Sequence, residues 1–296
     1  MKVGVVLPLF SGDPEKVVRA ARETEDLGFD GAFVFDHFFP PGAAADRPSL
    51  EAFTTLAAVA ATTRRISVGT LVTRASLRPA GLLAKQASWV DAMSGGRLIL
   101  GIGTGDAIDR REHEAYGIPL LGRRERRRHL EETVTALGHL FRDEPAPAAT
   151  LVPAVEGPLR PAPARPGGPP IWVGGLADEV VRLAARSAQG WNGWGLDPDG
   201  FGAKARLLAE AAADAGREVE ATWAGIVLTA SGRDEVDRLL ERRRALGMEE
   251  SWSGTTEELA TFLRALRDAG AGWAIFVAAG PKDRRALIAR EVLPEL

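Results

Sequence analysis

The sequence predicts one parallel (β/α)8 TIM barrel, and three observations carry that expectation. Short apolar runs alternate with amphipathic helical stretches about eight times along the chain, the pattern of a parallel sheet with right-handed crossovers that closes on itself. The first strand-to-helix turn, Leu9-Phe10-Ser11-Gly12-Asp13-Pro14, lacks the G-x-G-x-x-G fingerprint of an open dinucleotide-binding sheet. The length of 296 residues suits one large barrel better than two small domains, so residues 1–296 are read as a single domain.

The elements follow in order. Residues 3–7 form a buried strand. Asp13-Pro14 opens a helix that runs to Leu27, since proline suits a first helical turn and Gly28 a C-terminal cap. Strands two, three and four fall at 32–35, 66–71 and 98–102, separated by helices at 50–62 and 79–93. A long helix spans 123–141. Residues 142–170, rich in Pro and Ala, break the rhythm and read as an irregular insertion or short hairpin after the fourth helix. Strands five to eight are expected at 171–174, 191–194, 223–228 and 273–277. Helices at 180–187, 201–215, 234–246 and 255–269 connect them, the last with Ser253 or Thr255 near its N-cap, and 284–295 closes the chain.

Hydrophobic residues make up 45% of the chain, enough for a sizeable core. A net charge of -3 provides no basic field, so neither nucleic acid nor an anionic membrane is the expected partner. The absence of cysteine excludes disulfides, thiolate zinc sites and a cysteine nucleophile. The apolar run at the N-terminus is too short for a signal peptide or a membrane span. A cytoplasmic protein with a small-molecule substrate is expected. Arginine and alanine abundance reads as codon bias.

In a barrel the chemistry gathers on loops that follow the strands. His37 comes directly after the second strand, where an imidazole can take or give a proton near neutral pH. The same place suits a histidine bonded within its loop. His113, His129 and His139 lie in helical context and read as surface or packing residues. Asp36 can orient the imidazole or bond backbone amides. No second His or carboxylate cluster has ligand spacing, so no metal site is expected. Gly101-x-Gly103-x-Gly105 lets the backbone approach a flat ligand or a phosphate, or simply serves a tight turn. Asp106 follows, so that its carboxylate can share a cavity with His37. Gly174-Gly175 precedes a helix start, which is an anion site or a plain turn. Phe35, Trp172, Trp191 and Trp223 lie in strands and read as core. Arg74 and Arg78 meet anionic groups or lie at the surface. The apolar loop Phe38-Phe39-Pro40-Pro41 permits a hydrophobic substrate.

These residues also resemble a known family, the luciferase-like flavin or coenzyme F420-dependent oxidoreductases. The likeness runs through residues 21–30 into Asp36-His37, then Gly69-Thr70, then Leu77-Arg78-Pro79 with Ala84-Lys85. It continues in Asp91-Ala92-Met93-Ser94-Gly95-Gly96-Arg97-Leu98, 101–105, 112–117 and 123–132, and ends in Pro169-Pro170-Ile171-Trp172-Val173-Gly174-Gly175 and Gly190-Trp191-Asn192. The Ser-Gly-Gly-Arg-Leu segment, in this order with the others, is the specific part.

The resemblance implies a barrel with a planar tricyclic cofactor across its strand ends, and a non-proline cis peptide between Leu71 and Val72. It implies cofactor contacts at Asp36, Thr70, Leu71, Val72, Gly103, Thr104, Gly105, Gly174 and Gly175, the last two through a phosphate. It implies catalytic roles for His37, as proton acceptor or anion stabiliser, and for Asp106 as its acid partner. A homodimer is compatible with it. The chain looks closest to the F420-dependent sugar-phosphate dehydrogenase branch, but departs from it in three places. Asp106 replaces a glutamate, Pro41 replaces a tryptophan, and the substrate-phosphate lysines have no match, which puts a sugar phosphate in question. The leading expectation is an F420-dependent oxidoreductase that exchanges a hydride with a small organic substrate. The alternatives are an FMN-dependent monooxygenase of the same fold and a non-catalytic flavin- or F420-binding protein, against which His37 argues.

Overall fold

The computed structural model describes residues 1–40, 47–105, 110–280 and 284–296. Eight parallel strands close into a ring: β1 (Lys2–Val6), β2 (Gly31–Val34), β3 (Ser67–Thr70), β5 (Leu98–Gly103), β6 (Ile171–Gly174), β7 (Gly190–Trp194), β8 (Glu220–Ala230) and β10 (Trp273–Ala279). Pairing of β8 with β10 and of β10 with β1 completes the closure, with Phe276 facing Gly225 on one side and Val5 on the other. Two short strands ride on this ring: β4 (Thr73–Arg74) pairs with β5, and β9 (Trp252–Thr255) with the far end of β8. The helices are α1 (Pro14–Asp26), α2 (Ala52–Thr62), α3 (Ala80–Ser94), α4 (Arg110–Ala115), α5 (Arg123–Phe141), α6 (Asp178–Ser187), α7 (Pro198–Asp214), α8 (Arg233–Ala245), α9 (Thr256–Asp268) and α10 (Arg285–Glu291). Among the described residues no helix is long and apolar enough to cross a membrane.

The expected strands are all found, with β4, β9 and α4 in addition. Strand seven is longer than its apolar run: β8 extends over 11 residues because β7, β9 and β10 pair along different parts of it. Strand alternation separates two cores. On β5, Leu98, Leu100 and Ile102 face the helices, while Ile99 joins the barrel interior. That interior is aromatic. Phe33, Trp172 and Trp273 sit with ring centroids 5.5–5.9 Å apart. Trp172, Trp191 and Trp223 are buried as expected; Phe35 is the exception and is half-buried beyond the end of β2.

Local chemistry sets the helix ends. The Asp13 side chain accepts from the N–H groups of Glu15 and Lys16 to start α1. Thr255, rather than Ser253, caps α9 in a reciprocal box with Glu258. The Ser94–Leu98 motif proves to be a joint. Gly95 takes φ 66° to end α3, and Arg97 donates to the carbonyls of Ala60, Thr63, Ser94 and Ile66 at 2.6–3.0 Å. One guanidinium thereby satisfies the open carbonyl end of α2 and sets its place against β3 and β5.

Residues 142–170 are irregular, with a single antiparallel bridge between Ala146 and Val155. They strap the outer face of the barrel. Glu132 on α5 accepts from the N–H of Leu151 at 2.6 Å and of Val152 at 3.1 Å. On α3, Ser88 donates to the Pro161 carbonyl at 2.5 Å, and the Asp91 carboxylate accepts from the Ala164 N–H at 2.9 Å.

Candidate active site

The C-terminal ends of the strands open into one cavity of about 1040 Å³, large enough for a cofactor and a small substrate. Its floor is apolar: Leu71, Val72, Ile226, Leu228 and Val277. The peptide between Leu71 and Val72 is cis, as the resemblance implied. Val72 lies against glycines on two neighbouring strands. A Cβ at Gly103 would come within 2.8 Å of its Cγ2, and one at Gly174 within 3.0 Å of its Cγ1. A Cβ at Gly101 would collide with the Thr70 carbonyl oxygen. The glycine run therefore makes room for the bulge that carries Leu71 and Val72, rather than only for a ligand.

One wall is aromatic. Phe10 stacks on Phe35 with centroids 6.1 Å apart and ring planes 19° from parallel, and Trp194 lies 5.9 Å from Phe35. His37 stands beside them, its side chain 22% exposed and its ring 6.2 Å from Phe35. The rim is cationic. The described lining residues include Arg47, Arg74, Arg242 and Arg243 and no carboxylate. Arg242 and Arg243 come from the last turn of α8, where cations complement the helix dipole. Arg243 is also paired with Glu250 at 3.2 Å.

His37 does not stand alone. Its Nδ1 lies 2.9 Å from Oε1 of Glu112, which α4 delivers from the neighbouring loop. Oε2 of Glu112 accepts from Arg74 Nη2 at 2.5 Å and from the Phe38 N–H at 3.2 Å. Glu112 and Arg74 are each 4% exposed at the side chain. Burial pushes the Glu112 carboxyl up, yet the hydrogen bond and charge of His37, the Arg74 guanidinium and the Phe38 N–H together hold it below the usual carboxylate range. Glu112 is thus the ionised partner of this cluster.

Several expectations change on this geometry. Asp36 does not line the cavity. It is buried, and its carboxylate takes Arg78 in a two-point pair at 2.5 and 3.1 Å with Thr73 Oγ1 at 2.5 Å. Burial alone would lower the Arg78 pKa, but the hydrogen bonds and charges of Asp36 and Glu51 raise it. Arg74 and Arg78 are therefore internal ion-pair partners and not surface residues. Thr70 is buried too; its hydroxyl donates to the Gly101 carbonyl at 2.7 Å and joins β3 to β5. Gly175 lines the cavity, but its N–H already donates to Asn192 and its carbonyl accepts from Trp191 Nε1. The α6 start behind it carries Asp178 and Glu179, paired with Lys204 and Arg127. Leu71, Val72, Gly103, Thr104, Gly105 and Gly174 also line the cavity. Asp106, like Pro41, lies outside the described residues.

Two contributions were not read from the sequence. Glu112 belongs to the family-like stretch 112–117, but nothing local in the sequence links it to a histidine 75 positions away. The α8 turn with Leu239, Arg242, Arg243 and Leu246 reads as an ordinary amphipathic helix until the ring closes.

The chain is 30% identical over 244 residues to an F420-dependent glucose-6-phosphate dehydrogenase of Intrasporangium calvum, a match covering 81% of this chain and 68% of that protein. It is 35% identical over 159 residues to an uncharacterized protein of Mycobacterium tuberculosis, covering 52% of this chain and about half, 51%, of that one. Its fold superposes on an F420-dependent secondary alcohol dehydrogenase, solved with an F420-acetone adduct, with a TM-score of 0.86. The superposition covers 99% of this chain and 98% of the other at 18% identity. The sequence profile of one family, described as luciferase-like monooxygenase, matches residues 1–285, and the chain belongs to that family.

Proposed function

We propose that the protein is a coenzyme F420-dependent oxidoreductase that exchanges a hydride with a small organic substrate. The observation that carries this reading is His37, an imidazole held on the wall of a cavity that is otherwise apolar at its floor and cationic at its rim. Membership of the family and similarity to an F420-dependent relative support the choice of cofactor. When bound, F420 supplies a two-electron centre that takes or gives hydride without oxygen chemistry. The residues present fit it. Leu71 and Val72, seated on Gly103 and Gly174, would hold its flat portion, and Arg47 and Arg242 would meet its anionic groups. The apolar floor would favour exclusion of water from the bound ring.

Every hydride transfer of this kind is accompanied by one proton. His37 accepts that proton when the substrate is oxidised and returns it when the substrate is reduced. Asp106 stays in the proposal as a second acid group. The balanced charge and lack of cysteine support a cytoplasmic enzyme acting on a small molecule.

A second reading, an FMN-dependent monooxygenase, is favoured by the description of the family itself. Titration of the purified protein with oxidised F420 and, separately, FMN, followed by fluorescence, decides between them. Saturable F420 binding is expected; tight FMN binding without F420 binding overturns the first reading.

A further inference from the structure

We propose that Glu112 is the positioning residue for proton transfer: it holds His37 as the Nδ1–H tautomer and so assigns exchange with the substrate to Nε2. The inference rests on the role just given to His37. Glu112 does not line the cavity, whereas His37 does, so the carboxylate acts through the ring.

An ionised carboxylate can only accept hydrogen bonds. The 2.9 Å contact between Oε1 and Nδ1 therefore requires the proton on Nδ1, and the neutral ring then accepts at Nε2. Arg74 reinforces the arrangement from both ends. It donates to Glu112 Oε2 at 2.5 Å and to the Asp36 carbonyl at 3.1 Å, while Oε2 also takes the Phe38 N–H. The peptide groups immediately before and after His37 are thus gripped by one buried ion pair. That pair fixes the backbone on which the ring turns as well as one edge of the ring, which is how outer partners orient a functional imidazole.

The step itself is simple. As the substrate is oxidised its X–H bond breaks and an Nε2–H bond forms; the X–H electron pair becomes the C=X bond, and the hydride lost from the adjacent carbon would be taken up by F420, the oxidant of the proposed function. The resulting imidazolium is balanced by the Glu112 carboxylate, which keeps its charge and takes no proton. In the reverse direction Nε2 returns the proton.

The test uses 15N spectra of the histidine rings in the purified protein, with His37→Gln to assign the resonance. Wild-type His37, when neutral, should show the Nδ1–H pattern. Glu112→Gln, whose amide donates as well as accepts, should mix the tautomers, and Glu112→Asp should keep Nδ1–H in excess. In turnover assays Glu112→Gln should lower kcat roughly 10²-fold with KM little changed, in the range expected for general acid–base catalysis. An Nε2–H wild-type ring overturns the proposal, as does a Glu112→Gln protein with unchanged tautomer and unchanged kcat. If Glu112→Gln does not fold, the wild-type spectrum and Glu112→Asp decide. The spectra need no cofactor, so a failure to bind F420 overturns the cofactor reading and leaves the tautomer result standing.

Discussion

Nδ1 of His37 and Oε1 of Glu112 lie 2.9 Å apart although 75 positions separate the two residues. The barrel makes this contact by placing the loop after β2 beside α4. No local sequence pattern links the two residues, so their meeting is a property of the closed ring. It puts an ionised, nearly buried carboxylate behind a half-exposed imidazole at the cavity wall.

Replacing the ring should separate binding from chemistry. His37→Ala is expected to leave F420 affinity within about threefold and to lower kcat by roughly 10²–10⁴-fold, the range for loss of a general acid or base. Fluorescence titration alongside steady-state kinetics reads both quantities. Unchanged turnover removes His37 from the mechanism.

The floor of the cavity makes a second prediction. Gly103→Ala should destabilise by about 1–3 kcal/mol, the usual cost of overpacking, because its new methyl meets Val72 Cγ2 at 2.8 Å. Adding Val72→Ala should recover much of that loss. Gly101→Ala should not be recovered by the same partner change, since its methyl also collides with the Thr70 carbonyl. Urea unfolding of the two pairs measures the difference.

Asp36 is an ion-pair residue in this structure, and its loss should be felt in stability. Arg78→Met leaves the Asp36 carboxylate, 2% exposed at the side chain, without its two-point partner. Breaking a buried pair from one side typically costs about 3–5 kcal/mol. Asp36→Asn should cost less, because Arg78 keeps Glu51 at 2.8 Å. Thermal melts that rank the two variants the other way would contradict this.

Acid stability should depend on Glu25. Burial raises its carboxyl, but N–H groups of Arg65, Arg64 and Ile66 and the charge of Arg65 hold it below its ordinary value of 4.5. The folded pKa is depressed, so the stabilisation is fully present above 4.5 and is lost as pH falls through the folded value. Wild-type Tm should therefore drop on acidification below 4.5. Glu25→Gln should have a lower Tm at pH 7 and a flatter decline in acid. Parallel Tm curves for the two proteins would remove Glu25 from the acid transition.

Much of the fold was legible because it is written in periodicity. The 123–141 helix and the 171–174 strand fall where the pattern placed them. Elements with no apolar run of their own were not legible: β4 is two residues long and exists by pairing with β5, and β9 exists by extending β8. The site was legible in part for a similar reason. His37, Leu71 and Gly103 lie at or just past strand ends, so their place at the mouth is set by the chain. Asp36 follows a strand as well, but which of two adjacent side chains enters a cavity depends on the partners waiting on each side. Arg78 and Thr73 wait for Asp36 on the buried side. Glu112 needed the tertiary contact to be seen at all, and α8 needed ring closure to bring its last turn over the rim.

The strap of residues 142–170 ties α3 to α5 through Ser88, Asp91 and Glu132, yet it contributes nothing to the cavity lining. Chemistry and bracing are thereby assigned to opposite parts of the molecule. The brace can therefore change in length without altering a residue that lines the mouth. A foreign peptide spliced near Ala149, whose neighbours are exposed, would travel with the enzyme as a passenger.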